Sequence, residues 1–463
     1  MLSLLLVCLI NSIPAEISVT NTEELVAAVG RNETHQTIRL APGKYELSQQ
    51  LKLQSGTKLL GASVDKTIVT HTKQWQASTK ALPDPEARLN GFDMDSYLVR
   101  ITDKADGVEI ANLTLRGPQI HGAIFGISLT NLHLHHVKIQ DFMWSGLRTF
   151  NMQHAKIHDC EFVDAGGKWK KGGTAPVDRG GICGGAMFLT WVKDSEISHN
   201  RFRRTIDSKA RSHFGVKGRQ GKRCRIHHNT INFGFSIEFP FEGDQDMEID
   251  HNVLRGPVSI PKHAGGKVPE SGRTFHIHHN YFTTSYAIEF VRNGVEIDHN
   301  LFDFDVEKDG GNLISGFGKV GAPGPAKFHN NLVNNPGRGV IWINEPFDNF
   351  EIRNNHIISR TTATPRKEGL LAFNGKTNFE TLTICNNIVE CIGTQRPLLR
   401  DDEMYSANVD GNKLLNISDA ERLRQTPSES AGLEAPLHFQ CGARDEFTVN
   451  GWEFKPTSPE EKQ

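Results

Sequence analysis

A short phrase recurs through the middle of this chain and constrains its fold more than any other feature. Each copy has a strand-like apolar segment, one or two polar residues, an asparagine and, two positions later, another apolar residue. The clearest copies are EISHNRF, RIHHNTI, EIDHNVL, HIHHNYF and EIDHNLF, which begin at residues 196, 225, 248, 276 and 296. From Asn200 to Asn355, subtraction places successive asparagines 29, 23, 28, 20, 31 and 24 residues apart. Repeats of this size with short strands indicate a solenoid, in which each unit packs on its neighbours.

A second apolar segment follows each asparagine after a loop of variable length, for example at 214–218 and 236–240. These segments are rich in β-branched and aromatic residues, which favours strands over helices. Two or three short strands per repeat, stacked in parallel, predict an all-β solenoid of the parallel β-helix type. Near the N-terminus, Thr20 and Glu23 have the spacing of a capping box and predict a short helix that caps the open end. We expect the β-helix to span residues 16–395, and residues 396–463 to form a C-terminal cap and tail.

Charge and hydrophobicity limit the classes of partner. The 463 residues include 52 Lys and Arg against 54 Asp and Glu, so the net charge is −2 and no global field favours nucleic acid or a membrane surface. An apolar run at residues 1–10, followed by small residues, has the pattern of a secretory signal that would end near residue 15. No later apolar run approaches the roughly 18 residues needed to cross a bilayer. We therefore expect a secreted or periplasmic monomer.

The repeated phrase, and the following strands that begin with Gly or another small residue, resemble the right-handed parallel β-helix superfamily of pectate lyase-like proteins. The resemblance covers residues 19–390. It implies that asparagines of successive turns form hydrogen-bonded ladders, and that a polysaccharide binds along the outer face of the strand after each asparagine phrase. Members of this superfamily include polysaccharide lyases, glycoside hydrolases, epimerases and non-catalytic adhesins. The resemblance is therefore more specific for the fold than for the reaction.

The strand after each asparagine phrase would then carry the chemistry. Side chains alternate along a strand, so inward-facing Val216 and Ile237 would turn Lys217 and Glu238 outward on adjacent coils. Adjacent strands are about 4.8 Å apart, which would bring these two side chains close to contact. Further coils would add Glu289 to the same outward row. The residues predicted to act in catalysis are Lys217, Arg219, Arg211, His213, Glu238, Lys262 and Glu289.

These residue types suit β-elimination from a uronic acid. A lyase needs a cation to neutralise the substrate carboxylate, a base to remove the adjacent proton and an acid to protonate the leaving oxygen. Arg211 or Arg219 suits the carboxylate because arginine is permanently charged and bidentate. Crowding by these arginines would make Lys217 easier to deprotonate, as a general base requires. His213 or His263 can also exchange protons near neutral pH. The predicted function is a polysaccharide lyase acting on an anionic glycan.

Other residues are predicted to contact the glycan or a metal ion. A loop at 165–185 carries Trp169 beside lysines, a combination that can stack on a sugar ring and attract its acidic groups. The predicted substrate-binding residues are Arg148, Lys168, Trp169, Lys170, His263 and Trp342. An acidic run offers the hard oxygen ligands that calcium prefers, and the resemblance implies calcium in some relatives. Its predicted calcium ligands are Glu238, Glu242, Asp244 and Asp246.

Three alternatives stay open at this point. The first is an ion-pair ladder, in which Lys217 pairs with Glu238 and the charges are structural; Lys262 would pair with Glu289 in the same way. The second is an inverting glycoside hydrolase that uses Glu238 and Glu289, two coils and about 10 Å apart, as its carboxyl groups. The third is a non-catalytic glycan-binding or cell-surface module. The lyase hypothesis requires Lys217 and Glu238 to share one accessible face.

The histidines beside the repeated asparagines are expected to be structural, because they recur at one position of the repeat. They are His227, His228, His251, His278, His279 and His299.

Overall fold

The computed structural model consists of one α-helix and a long series of short strands. It describes residues 16–75, 96–165, 184–205, 214–239, 246–260, 273–284, 286–289, 294–304, 312–316, 326–343, 349–360, 369–373, 379–400, 405–423, 447–449 and 452–454. Within these residues every strand pairing is parallel except one C-terminal hairpin, formed by Phe447–Val449 and Trp452–Phe454. No helix among them is long and apolar enough to cross a membrane.

Each coil contributes strands to three parallel stacks, and the first two stacks join in one 27-stranded sheet. The first stack, before the asparagine turn, contains Glu16–Val19, Thr37–Leu40, Lys58–Leu60, Glu109–Arg116, His133–Gln140, Lys156–His158, Glu196–Ser198, Arg225–His227, Met247–Asp250, Phe275–His278, Val295–Asp298, Ala326–His329, Phe350–Arg353, Leu382–Cys385 and Asn408–Asp410. The second stack, after that turn, contains Gly43–Leu47, Thr67–His71, Glu161–Val163, Arg201–Arg203, Thr230–Ile231, Val253–Leu254, Tyr281–Phe282, Leu301–Asp303, Leu332–Asn334, His356–Ser359, Ile388–Cys391 and Lys413–Leu415. The long strands Glu109–Arg116 and His133–Gln140 run through both stacks.

The third stack is a separate 12-stranded sheet. It contains Leu51–Leu53, Tyr97–Ile101, Gly122–Ile127, Ser145–Gln153, Gly185–Lys193, Phe214–Arg219, Phe235–Glu238, Val258–Ser259, Ile288–Glu289, Ile314–Gly316, Ile341–Ile343 and Leu371–Phe373. A 3₁₀ turn at Phe379–Thr381 precedes one first-stack strand. The inward side chains of all three stacks form one continuous apolar core along the axis. This arrangement is the all-β solenoid that the sequence predicted.

The helix Thr22–Gly30 covers the N-terminal end of the core, as predicted. Its N-cap is Asn21, whose side chain accepts a hydrogen bond from the backbone N–H of Glu24 at 2.9 Å. The Glu24 carboxylate in turn accepts from the backbone N–H of Thr20 at 2.7 Å. The capping interactions therefore use Asn21 and Glu24, each one residue later than the predicted Thr20 and Glu23.

The asparagines of the repeated phrase form the expected ladder. The side-chain amide of Asn200 donates to Oδ1 of Asn229 at 3.0 Å, and the backbone N–H of Asn200 donates to the same oxygen at 2.9 Å. The same two bonds join every successive pair up to Asn412. An amide fits this buried position because it donates and accepts at once. The ladder and its strands continue past residue 395, so the coils extend beyond the expected boundary.

The residue before each ladder asparagine adopts a left-handed backbone conformation. In five successive coils this residue is a histidine with φ between 53° and 56°, namely His199, His228, His251, His279 and His299. Their rings stack with centroids 4.9–5.1 Å apart. Later coils place asparagine there, the residue type besides glycine that best tolerates this conformation. The stacking gives His228, His251, His279 and His299 the structural role that was predicted, whereas His227 and His278 lie one residue earlier and outside this stack.

Candidate functional site

The outer face of the third stack aligns the predicted site residues in one row. Lys217 pairs in register with Phe188 on one side and with Glu238 on the other. The row continues from Glu238 through Ser259 to Glu289. In coil order it contains Phe125, Arg148, Phe188, Lys217, Glu238, Ser259, Glu289, Ser315, Trp342 and Ala372. Lys217 and Glu238 therefore lie on one face of adjacent coils, as the sequence predicted.

Lys217 and Glu238 form an ion pair at the middle of the row. Nζ of Lys217 is 2.7 Å from Oε2 of Glu238 and 4.9 Å from the ring centroid of Phe214. Lys217 is only 5% exposed, and the Glu238 side chain is 17% exposed. The expectation of an accessible lysine is therefore not met. A lysine that carries its proton in an ion pair cannot act as a base until that proton leaves.

Arg219 lies two residues beyond Lys217 on the same strand, and therefore on the same face. It is half-buried and pairs in register with Thr190 of the preceding coil. This position suits the predicted contact with a substrate carboxylate. The other predicted residues around the pair, and those of the predicted Trp-containing loop, lie outside the described residues: Arg211, His213, Lys262, His263, Lys168, Trp169 and Lys170.

Arg148 belongs to the row but does not fit the predicted substrate-binding role. Its side chain is 0% exposed, and its guanidinium carbon lies 5.1 Å from the ring centroid of Phe150 and 4.7 Å from that of Phe188. Burial lowers the pKa of Arg148, and burial raises the pKa of nearby Tyr97 to about 12. Alternation along the strand gave the correct outward direction for Arg148. It gave no information on burial, so the assignment as a glycan contact is wrong.

A second polar group lies further along the row. The Tyr286 side chain lies next to Glu289 and Ser315 of the row. Burial, and then the negative charge of Glu289, raise the pKa of Tyr286 above its ordinary value. The next row position after Ser315 is Trp342, which is half-buried. Tyr286 precedes its strand in a variable loop and shares no repeated position, so the sequence pattern did not reveal it.

The described residues include two of the four predicted calcium ligands, Glu238 and Asp246, and calcium binding at this run stays a prediction. Glu238 is engaged by Lys217 at 2.7 Å, which places a cation at the carboxylate where calcium was expected. Asp246 is described, but neither it nor Glu238 belongs to a cluster of three metal-ligating side chains within the described ranges. Glu242 and Asp244 lie outside those ranges. We therefore derive no step through calcium.

The row combines cationic, carboxylate and aromatic groups along one line. Arg219, beside the row, can attract an anionic sugar, and Trp342 can pack against an apolar sugar face. Glu238 and Glu289 are two coils apart, which corresponds to about 10 Å. An extended chain of sugars that runs parallel to the solenoid axis would meet these groups in sequence.

Comparison with known proteins identifies the fold. No family model matches this chain, and no curated protein is similar in sequence. A solved structure of the PL6 family alginate lyase AlyGC is similar, with 11% identity, a TM-score of 0.55, and coverage of 94% of this chain and 55% of that chain. A double mutant of the tailspike protein of E. coli bacteriophage HK620, in complex with a pentasaccharide, is also similar, with 9% identity, a TM-score of 0.53, and coverage of 87% and 76%. The chain is a right-handed parallel β-helix protein.

Proposed function

We propose that this protein is a polysaccharide lyase that cleaves an anionic, uronic-acid-containing glycan by β-elimination. The Lys217–Glu238 ion pair on the outer face of the third stack carries the proposal. Arg219 lies two residues from Lys217 on the same strand. The similarity in fold to an alginate lyase supports this class of substrate.

Lys217 is 5% exposed in the structure, so the ion pair can supply both the base and the acid only if binding of the glycan uncovers this lysine. Transfer of one proton from Nζ of Lys217 to Oε2 of Glu238, across 2.7 Å, leaves a neutral amine and a neutral carboxylic acid. In water this transfer is unfavourable. A bound glycan that then packs on the pair removes both charges from water, which costs several kcal/mol per ion and so favours the neutral forms. Substrate binding would thus activate Lys217, which carries its proton in the ion pair when no substrate is bound.

The elimination then returns the pair to its starting state. The amine of Lys217 accepts the proton on C5 of the uronic acid, the C4–O bond breaks, and a double bond forms between C4 and C5. The carboxylic acid of Glu238 donates its proton to the leaving oxygen. Both residues are charged again after this step, so no proton is gained or lost overall. Arg219 binds the uronate carboxylate and stabilises the negative charge that develops on it.

The test is to incubate the full chain with alginate, polygalacturonate and other uronic-acid polymers. We expect the ultraviolet absorbance of an unsaturated uronate to appear, together with new reducing ends. If none of these polymers gives an unsaturated product, the lyase proposal is wrong.

The register of Glu238 and Glu289 favours a second candidate, inverting glycoside hydrolysis. Their separation of about 10 Å is just above the range of about 6.5–9.5 Å for the carboxyl groups of inverting enzymes. Hydrolysis would give new reducing ends without unsaturation. A glycan-binding module would give neither product, and its glycan affinity would not change in Lys217→Ala.

We also propose that the protein is exported as a monomer. The expected signal, residues 1–15, lies outside the described residues. Mass spectrometry of the N-terminus after expression in a secreting host tests removal of this segment, and light scattering tests the oligomeric state. An intact N-terminus inside the cell would contradict export.

A further inference from the structure

The outer face of the first stack, on a different side of the solenoid, carries a repeated histidine–glutamate contact. In four coils, Nε2 of a histidine lies 3.0–3.2 Å from Oε1 of a glutamate on the preceding coil. The pairs are His135 with Glu109, His227 with Glu196, His278 with Glu248, and His329 with Glu296. Such a recurring pair is explained by the alternation of acidic and basic side chains on neighbouring coils of the stack. A departure from it at one place calls for another explanation.

The site at His135 differs from those at His227 and His278, where the residue two positions earlier contacts a carboxylate on the following coil. Next to His227, Arg225 contacts the carboxylate of Asp250 on the following coil at 2.7 Å. At the matching position the residue next to His135 is His133, and its Nε2 lies 2.8 Å from Nε2 of His158. A cation–carboxylate contact is thus replaced by two imidazole nitrogens that face each other.

The resulting cluster has the composition and spacing of a metal site. Ligand atoms of Glu109, His133 and His135 all lie within 4.8 Å of one another, and His158 adds a fourth nitrogen beside His133. Zinc–nitrogen bonds of about 2.0–2.1 Å in tetrahedral geometry separate two ligand nitrogens by about 3.3 Å. The contacts of 2.8 Å and 3.2 Å need to open by only a few tenths of an ångström.

Hydrogen bonds behind the cluster orient two of the imidazoles. Nδ1 of His158 lies 2.7 Å from the carboxylate of Asp159, so it carries the proton and leaves the lone pair of Nε2 directed at the cluster. Nδ1 of His135 contacts Nδ1 of exposed His136 at 3.0 Å.

A second cluster in the same stack, with the same residue types at the same relative positions, has different neighbours around its imidazoles. Glu248, His276 and His278 have the same relative positions. There, however, Arg273 lies 2.9 Å from Nδ1 of His276, and arginine can only donate. The proton of neutral His276 is therefore on Nε2, which donates to Asp298 at 2.7 Å. The positive charge of Arg273 beside this ligand imidazole disfavours a bound metal cation.

We propose that Glu109, His133, His135 and His158 bind one divalent transition-metal ion of the zinc class. The ion joins three successive coils through strands Glu109–Arg116, His133–Gln140 and Lys156–His158. Lys58 contacts the other carboxylate oxygen of Glu109, Oε2, at 2.9 Å, which leaves Oε1 for the metal. The site is independent of the glycan face, and its role is to stabilise the N-terminal half of the solenoid.

Zn²⁺ titration of the full chain by isothermal calorimetry tests the proposal. We expect one tight site per chain, and a loss of affinity of at least about 100-fold in both His133→Gln and His158→Gln. His276→Gln, at the matched position of the other cluster, should bind as the wild type does. Equal binding by His133→Gln and the wild type, or an equal loss in His276→Gln, would overturn the assignment.

Thermal melts provide a second, independent measurement. Zn²⁺ should raise the Tm of the wild type and of His276→Gln, because a ligand that binds only the native state stabilises it. His133→Gln should melt at its own metal-free Tm in both the absence and the presence of Zn²⁺. A metal-free Tm of His133→Gln equal to that of the wild type shows that the variant folds. A Zn²⁺-dependent rise in that variant would show that the ion binds elsewhere.

Discussion

The outer faces of the first and third stacks use the same backbone geometry in different ways. On the first stack, charged residues recur at fixed positions, as in the pair of Arg225 with Asp250 on adjacent coils. On the third stack, the row changes character at nearly every coil, from the buried Arg148 to the ion-paired Lys217 and then to Ser259. Residues that recur satisfy a need that every coil has. A residue type that occurs in one coil alone serves a local role, and binding or catalysis is one such role.

The same criterion applies within the first stack. Most of its contacts follow the repeat, and the cluster around His133 and His158 is the place where two imidazoles replace a cation–carboxylate contact. The proposed metal site and the proposed catalytic pair therefore have one feature in common. In both, the side chains depart from the repeat while the backbone keeps the position that it has in every coil.

The sharpest test exchanges a cation on each face for methionine. Lys217→Met should lower lyase activity by about 10²–10⁴-fold, because it removes the proposed base. Arg225→Met should leave the activity of folded protein unchanged. It should instead lower the free energy of unfolding by about 1–3 kcal/mol, because the fully buried Asp250 loses a partner. Product formation and denaturant unfolding measure the two effects.

If the two variants showed the opposite effects on activity and stability, the contrast drawn between the two faces would be wrong. If Lys217→Met affected only stability, the pair with Glu238 would be the structural ladder that the sequence left open. The variant Glu289→Gln separates the two enzymatic candidates, since a hydrolase would lose activity and a lyase would retain it.

The asparagine ladder should show the largest effect on stability. Asn280 donates to Asn300 and to the carbonyl of Ile249, and it accepts from Asn252. Asn280→Ala should lower the free energy of unfolding by about 3–5 kcal/mol, because several buried groups lose their partners together.

Two further variants check this explanation. Asn280→Asp has nearly the same shape but lacks the donor, so it should be at least as destabilised as the alanine variant. Asn408, in the last first-stack strand, is exposed; Asn408→Ala should change stability by less than about 0.5 kcal/mol. A tolerated Asn280→Asp would contradict the role assigned to the amide.

The stacked histidines should make the solenoid sensitive to acid. Burial is the largest cause that lowers the pKa of His228 to about 4 and that of His279 to about 3. An unfolded histidine titrates at about 6.5, so below that pH the unfolded chain binds more protons than the native one. Stability should therefore fall as the pH decreases from about 6.5 towards 4.

Asparagine variants can isolate this contribution. The double variant His228→Asn with His279→Asn copies the residue type of later coils and should reduce the loss between pH 7 and pH 4 by on the order of 1 kcal/mol. His154 is exposed and has the same left-handed backbone, with φ 56°. His154→Asn should leave the pH dependence of the Tm unchanged. If the double variant kept the pH dependence of stability of the wild type, the stacked histidines would not be the cause of that dependence.

The smallest expected effect concerns substrate affinity. Trp342→Ala should raise KM about fivefold, corresponding to about 1 kcal/mol, with kcat unchanged, because packing against a sugar contributes equally to the bound substrate and the transition state. Trp191 lies on the third stack outside the row and is 47% exposed. Trp191→Ala should leave KM unchanged. A fall in kcat alone for Trp342→Ala would place that residue in the chemistry.

Residues on repeated positions were predictable, and residues in variable loops were not. The ladder from Asn200 to Asn355 and the shared face of Lys217 and Glu238 followed from the repeat and from strand alternation. Tyr286 was missed because the loop that contains it has no counterpart in other coils. The contact of His133 with His158 was missed because these strands precede the first clear copy of the phrase.

The sequence by itself determined the winding of this chain, because a buried turn repeated in every coil accepts very few residue types and therefore leaves a readable pattern. It also determined which side chains point outward, because strands alternate with a period of two. Only the tertiary structure decided that Arg148 and Lys217 are buried and that the ion pair of Lys217 with Glu238, which the sequence left open as an alternative, does form. Burial and pairing depend on contacts between coils and on the side chains that cover each face. Those contacts join residues far apart in the sequence, and no local pattern records them.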